Sequence, residues 1–237
     1  MDSLVKRLHG RLLFGGFVMR GKLIVTEGLD GSGKATQTER LFAYLQEKGS
    51  PVSKVSFPDY DSPSSSLVKM YLAGDFGKEP DSVNPFAASS FYACDRYASY
   101  KSGWEKEYSQ GGIIIADRYT TSNAIHQCAK LPEEKWEQFL DWLFDYEYRL
   151  LGIPEPDDVI YLRVDPDVSQ ELMSRRYSND ESRKDIHESN TEYLKRSRKA
   201  ADYCAKKLGW KTVECIADGK LRTIDDISAE IRSRLNV

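Results

Sequence analysis

The sequence is poor in cysteine and does not place it to work in pairs. Its four cysteines, Cys94, Cys128, Cys204 and Cys215, include no C-x-x-C spacing, the usual mark of a zinc ribbon or a thiol–disulfide motif. They read as reduced thiols, packed as small apolar side chains in a cytoplasmic protein. Long apolar runs are also missing. No stretch approaches the ~18 residues of a membrane-spanning helix, so no membrane association is expected. Nor is there an excess of basic residues: 34 Lys and Arg stand against 37 Asp and Glu, a net charge of −3. A general nucleic-acid binder shows the opposite balance, and no nucleic-acid partner is expected. Internal repeats and low-complexity tracts are absent.

What is present is a soluble, polar-leaning composition, 40% hydrophobic and 30% charged over 237 residues. Such a chain can bury a substantial core without staples. At the N-terminus, Lys6, Arg7 and Arg11 precede the short run "LLFGGFV". This loosely imitates a signal peptide, but no small-residue cleavage site follows. Residues 1–18 are therefore expected to be an extension, disordered or a start-site artefact, with Met19 a natural start. Residues 19–237 are expected to form a single domain.

Five short apolar runs read as strands: "KLIVTEG" from Lys22, "SKVSFP" from Ser53, "GIIIADR" from Gly112, "DVIYLRV" from Asp158 and "WKTVECI" from Trp210. Their Val- and Ile-rich character suits strands covered on both faces. Between them lie stretches with helical spacing. Leu41, Tyr44 and Leu45 mark one; Pro132 to Leu150 carries a broad apolar stripe; Thr191 to Leu208 stops at Gly209; a last helix starts near Thr223. The alternation predicts an α/β fold, an open five-stranded parallel sheet with helices on both faces.

The stretch "EGLDGSGKATQT" carries the chemistry. Gly28, Gly33 and Lys34 fit the phosphate-loop pattern G-x-x-x-x-G-K-[ST]. A strand precedes it and a helix follows, as the pattern requires. Backbone N–H groups and the helix N-terminus then face phosphate oxygens, and Lys34 adds a full charge. Gly28, Leu29, Asp30, Gly31, Ser32, Gly33, Lys34, Ala35 and Thr36 form the candidate ATP site. The pattern's metal-holding hydroxyl is missing: Ala35 stands there, and Thr36 comes one residue late. A second anchor is "IIIADRY". Asp117, at a strand end, resembles the acidic residue that assists Mg²⁺ in phosphate-loop enzymes, and Arg118 is suited to clamp a phosphate. An Asp–Arg surface salt bridge is the bland alternative. Two kinds of protein could own these parts: a nucleotide switch or ATPase, and a kinase of a small molecule. The N-K-x-D motif of a guanine switch is absent. The polar segment 174–190, "SRRYSNDESRKDIHESN", is either a solvated loop or a basic lid over phosphates.

"EGLDGSGKATQ", "FPDY", "FYACDR", "DRYTTSNAIHQ" and the lid-like segment, in this order, resemble the thymidylate kinase family of nucleoside monophosphate kinases. The resemblance runs from about Gly21 onward. It implies transfer of the γ-phosphoryl group of Mg-ATP to dTMP, and it accounts for Ala35. Related kinases carry a small residue there and hold Mg²⁺ largely through water and the nucleotides' phosphates, with Asp117 reaching it through water. It implies that Asp30 meets the deoxyribose 3′-hydroxyl and that Arg118 binds the acceptor phosphate. Tyr92 would stack on the base, Arg96 would donate to a base carbonyl, and Asn123 and Ser122 would lie at its edge. Tyr60 would wall the site beside Pro58, where the family tends to have a cis bond. The phosphate loop has no arginine, so Arg175, Arg176 and Arg183 of the lid are the expected catalytic and ATP-contacting cations, joined by Lys184 and held by Glu188. At His126 the family often has Tyr or Phe, which crowds the ribose 2′ position. Histidine there opens the alternatives dUMP and UMP; it could equally be a packing residue. Otherwise Tyr92 would be a core aromatic, Arg96 a surface charge and Asn123 a helix cap. The resemblance also implies a homodimer. A non-catalytic nucleotide-binding module is the reading from another class.

Overall fold

The computed structural model describes residues 20–164 and 190–237. The expected extension over 1–18 and all but the last residue of segment 174–190 lie outside the described residues. So do Arg175, Arg176, Arg183, Lys184 and Glu188.

The apolar runs become five parallel strands, β1 Lys22–Glu27, β2 Val52–Ser56, β3 Ile113–Asp117, β4 Asp158–Arg163 and β5 Lys211–Glu214, in the order β2-β3-β1-β4-β5. In register, Ile24 lies beside Ile115 on one side and Asp158 on the other. Parallel neighbours require crossover connections. These are built from helices α1 Lys34–Glu47, α2 Ser66–Leu72, α3 Pro85–Ser99, α4 Glu105–Ser109, α5 Thr120–Cys128 and α6 Trp136–Phe144. α7 Thr191–Leu208 belongs to the crossover between β4 and β5, and α8 Ile224–Leu235 follows β5.

Alternate strand residues face opposite layers. Ile24, Ile115, Ile160 and Val213 pack under Leu41 and Leu45 of α1 and Ile227, Ile231 and Leu235 of α8. On the other face, Leu23, Val25, Ile114 and Ala116 meet Phe57, Trp104, Tyr108 and Tyr119. Each fully buried Val, Leu or Ile contributes about 1.5–3 kcal/mol. A further cluster joins α5, α6 and α7 through Ala124, Cys128, Phe139, Leu143, Tyr193 and Cys204.

Three details differ from the sequence reading. The stretch 132–150 is not one helix: a 3₁₀ turn Glu133–Lys135 leads into α6, which widens into a π-helical turn Asp145–Leu150. Within that turn Glu147 is fully buried. Cys94 is exposed, unlike the other three cysteines, because it lies on the outer side of amphipathic α3, between buried Ala93 and Asp95. Between β5 and α8 a small antiparallel hairpin, β6 Ile216–Ala217 and β7 Lys220–Leu221, was not foreseen; strands of two residues carry no periodicity to read.

The sheet order changes direction around β1. Ligands bind outside the carboxyl ends of strands at such a switch point. Here the ends of β1, β2 and β3 deliver the glycine loop, the "FPDY" turn and the Asp117–Arg118 pair to one place.

Candidate active site

β1 ends in Glu27 and runs straight into the glycine loop. A Cβ on buried Gly28 would come within 2.5 Å of Ser32 Oγ and 2.9 Å of the Leu162 carbonyl, so glycine alone lets the loop lie against β4. Gly33, with φ of 84°, caps α1 in the left-handed conformation that glycine adopts without steric cost. The N-terminus of α1, with its unpaired N–H groups, thus points into the crevice.

Lys34 is buried. Its Nζ donates to the Leu29 carbonyl at 2.9 Å and lies 3.7 Å from Asp30 Oδ1. Burial lowers its pKa to about 8, with repulsion from Arg118 adding to the shift and Asp30, Asp117 and Glu27 opposing it. Arg118 follows β3 with φ of 67°, a conformation rare for a residue with a side chain. Its Nη2 donates to Asp30 Oδ1. Its Nη1 donates to Ser122 Oγ at 3.2 Å and stands 3.6 Å from Glu27 Oε1. Burial opposes its charge, but Asp30, Glu27 and Asp117 outweigh that and raise its pKa.

His126 is buried, 3.5 Å from Arg118 Nη1 through Nε2 and 3.3 Å from Tyr193 Oη through Nδ1. Burial, reinforced by Arg118, lowers its pKa to about 3, so the ring is neutral. Arginine can only donate, which makes Nε2 the acceptor and puts the ring proton on Nδ1. Tyr193 Oη receives that proton's hydrogen bond and sends its own to the His126 carbonyl at 3.0 Å.

A cavity of about 1120 Å³ joins these groups. Asp30, Gly31, Ser32, Gly33, Lys34, Ala35 and Thr36 of the phosphate loop line it, and so do Tyr60, Tyr92, Arg96, Asp117, Arg118, Ser122, Asn123 and His126. Of the described candidates, only Gly28 and Leu29 are not in its wall. Leu29 packs against Ile125 and Tyr161 in the core and offers Lys34 its carbonyl. Asn123 is not a helix cap: it sits in the middle of α5, whose cap is Tyr119, and its Nδ2 donates to the Ser89 carbonyl at 3.2 Å. Arg96 is not a surface charge: it is 1% exposed and bidentate on Glu147. Burial acts against its charge, and the Glu147 carboxylate more than compensates, so its pKa is raised. Tyr92 meets Tyr71 edge-on at 6.4 Å. The Phe57–Pro58 bond is cis.

Several site residues escaped the sequence reading. Glu27 is fully buried and accepts from Gly28 N, Thr121 Oγ1 and Ser122 Oγ at 2.9, 2.7 and 2.8 Å; an acid closing an apolar strand was its only signal. Asp95 holds the "FPDY" turn through Asp59 N and Ser64 Oγ at 2.8 and 2.5 Å. Gln127 lines the cavity, buried, with neither amide atom hydrogen-bonded. Leu221, Arg222 and Ile224 also line the cavity, with the Ile224 carbonyl accepting from Gln37 Nε2. Gln127 closes the motif "DRYTTSNAIHQ" but was given no role there, and nothing in a local pattern marks the last three.

Comparison with known proteins shows the family. The thymidylate kinase family model matches residues 26–225. A thymidylate kinase of Mycobacterium tuberculosis is 31% identical over 179 residues, 74% of this chain and 81% of that one. Another, of Caenorhabditis elegans, is 32% identical over 160 residues, 63% of this chain and 66% of that one. The solved thymidylate kinase of Candida albicans superposes with a TM-score of 0.67 at 24% identity over 92% of each chain, which establishes the shared fold. The chain belongs to the thymidylate kinase family.

Proposed function

We propose that this kinase transfers the γ-phosphoryl group of ATP to dTMP, giving ADP and dTDP. One observation carries the reading: Lys34 of the phosphate loop and Arg118 at the end of β3 line one cavity and approach the same oxygen, Asp30 Oδ1. A donor cation and an acceptor cation in one enclosure are what transfer between two phosphate groups requires.

The nucleophile is an oxygen of the acceptor's 5′-phosphate, dianionic near neutral pH because its second pKa is about 6. It forms the new P–O bond as the bond from the γ-phosphorus to the β–γ bridging oxygen breaks, and ADP leaves. No general base is needed; positioning and charge neutralisation are the work. Lys34 and the α1 N-terminus bind the donor phosphates, and Arg118 binds the acceptor phosphate in exchange for Asp30, which is then released toward the sugar 3′-hydroxyl. Tyr92 packs on the base. Arg96, Asn123 and Gln127 read its edge, and the unpartnered amide of Gln127 supports that role. Leu221, Arg222 and Ile224 border the adenine end.

The residues present fit Mg²⁺. Asp117 Oδ1 is buried without a hydrogen-bond donor. No group of three or more His, Cys, Asp or Glu among the described residues could cage a metal, which suits an ion that keeps several waters and uses one carboxylate plus substrate phosphates. Bound there, it would neutralise charge on the transferred group. Arg175, Arg176 and Arg183 are proposed to close over the phosphates, and the protein is proposed to be a homodimer. Among the described residues no helix is long and apolar enough to cross a membrane.

A second reading, with dUMP or UMP as acceptor, is favoured by His126, whose neutral ring lines the cavity beside Arg118. ADP production with Mg-ATP against dTMP, dUMP, UMP, dCMP and dGMP separates the readings. Selective turnover of dTMP supports the proposal, comparable turnover of UMP or dUMP reassigns the acceptor, and no turnover of any acceptor contradicts it.

A further inference from the structure

Glu147 belongs to no motif of the sequence and does not line the cavity, yet it is the most heavily engaged buried carboxylate in the molecule's described part. It is 0% exposed and sits in the π-helical turn after α6. Oε2 accepts from Arg96 Nε at 2.7 Å and from Thr120 Oγ1 at 2.8 Å. Oε1 accepts from Arg96 Nη2 at 2.6 Å and from Asn123 Nδ2 at 3.4 Å. Three side chains from α3 and α5 therefore converge on one carboxylate, and two of them, Arg96 and Asn123, line the cavity.

A buried ion pair is weak evidence for stability, because desolvating both charges costs as much as their attraction returns. Its geometric consequence is firmer. The bidentate fork fixes the plane of the Arg96 guanidinium, leaving Nη1, which stands 3.5 Å from the Tyr119 carbonyl, with a second N–H to donate. Asn123 is fixed in the same way. Both of its Nδ2 hydrogens are taken, by Ser89 O and Glu147 Oε1, and both partners can only accept. The carboxamide cannot flip, and Oδ1 is the atom of it left to accept a hydrogen bond.

We infer that Glu147 is the positioning residue that sets base selectivity, by presenting to the acceptor base one fixed donor, Arg96 Nη1, and one fixed acceptor, Asn123 Oδ1. The inference rests on the proposed kinase reading. A pyrimidine with a carbonyl at C4 and an N–H at N3, thymine or uracil, matches that pair. Cytosine carries an amine at C4 and a bare nitrogen at N3, so it opposes donor to donor and acceptor to acceptor. A site built this way rejects the mismatch because its own buried polar groups would be left unpaired.

The test is E147Q in the full chain, with KM and kcat for dTMP, dCMP and ATP beside the wild type. Glutamine can no longer accept from every partner, so Arg96 and Asn123 lose their fixed orientation. The preference for dTMP over dCMP is expected to fall by about 10- to 100-fold, mostly through KM of the nucleotide, with KM for ATP unchanged. E147D, which keeps the charge, is expected to recover part of the preference. Wild-type preference in folded E147Q would overturn the inference while leaving the kinase reading intact. A wild-type enzyme that phosphorylates no monophosphate would instead overturn that reading. Should E147Q fail to fold, R96M/E147M replaces the buried pair with apolar side chains, an exchange buried pairs often tolerate. Its dTMP preference is expected to collapse, and retention of the wild-type preference there overturns the inference equally.

Discussion

Asp30 stands between Lys34 and Arg118, accepting from Arg118 Nη2 while its Oδ1 lies 3.7 Å from Lys34 Nζ. One carboxylate oxygen thus bridges two cations that both face a phosphate in the proposed reaction. Lys34 is protonated below its lowered pKa of about 8 and loses its charge above it. kcat/KM, which reports the free enzyme, is therefore expected to fall as pH rises through about 8. Asp30 raises the Lys34 pKa, so Asp30→Asn is expected to move that limb to lower pH and to reduce kcat/KM. A pH profile of both proteins checks this; an unmoved limb in the variant would contradict it.

His126 predicts acid sensitivity. Its pKa falls from 6.5 to about 3 on folding, so the unfolded chain takes up a proton that the folded chain refuses. Stability is lost as pH falls below about 6.5 and goes on falling until about pH 3. At pH 5 this one group costs about 2 kcal/mol. His126→Gln, which does not titrate, is expected to show a smaller stability loss between pH 7 and pH 5 in urea unfolding. Equal losses in both proteins would show that the ring is not held neutral.

Arg183 lies outside the described residues, and its role rests on the resemblance together with the arginine-free loop "DGSGK". Arg183→Ala is expected to lower kcat by about 10³-fold or more, as loss of an arginine finger does elsewhere, with little change in KM for dTMP. Steady-state kinetics decide; an unchanged kcat would pass the role to Arg176 or Arg175.

How legible the site was depended on distance along the chain. Lys34 and Ala35 could be read because a phosphate loop is contiguous and is flanked by a strand and a helix. The five strands were legible because runs such as "IIIAD" are buried on both faces. Glu147 was not, because its partners Arg96, Thr120 and Asn123 come from other elements and the π-helical turn has no sequence period. Arg222 and Ile224 were missed for a similar reason: Gln37 of α1, whose Nε2 donates to the Ile224 carbonyl at 3.1 Å, brings that end of the chain to the phosphate loop. The exposed Cys94 shows the converse error, a residue-type preference overridden by its place on an amphipathic helix.

The proposed homodimer has a candidate face. Phe86 on α3 is 44% exposed, with its ring 4.6 Å from that of Trp142 and 5.5 Å from that of Phe139 on α6. A second copy of the chain would cover this aromatic group and keep it from water. Phe86→Glu is expected to shift the mass measured by light scattering from dimer to monomer at micromolar concentration. A wild-type monomer at those concentrations would contradict the assignment.

Transfer between two bound phosphates can be followed with labelled ATP. With γ-³²P-ATP, Mg²⁺ and dTMP, label is expected to appear in dTDP, and Arg118→Ala is expected to abolish its appearance. Label found only in inorganic phosphate, whatever the acceptor, would make the chain a hydrolase and contradict transfer to a bound nucleotide.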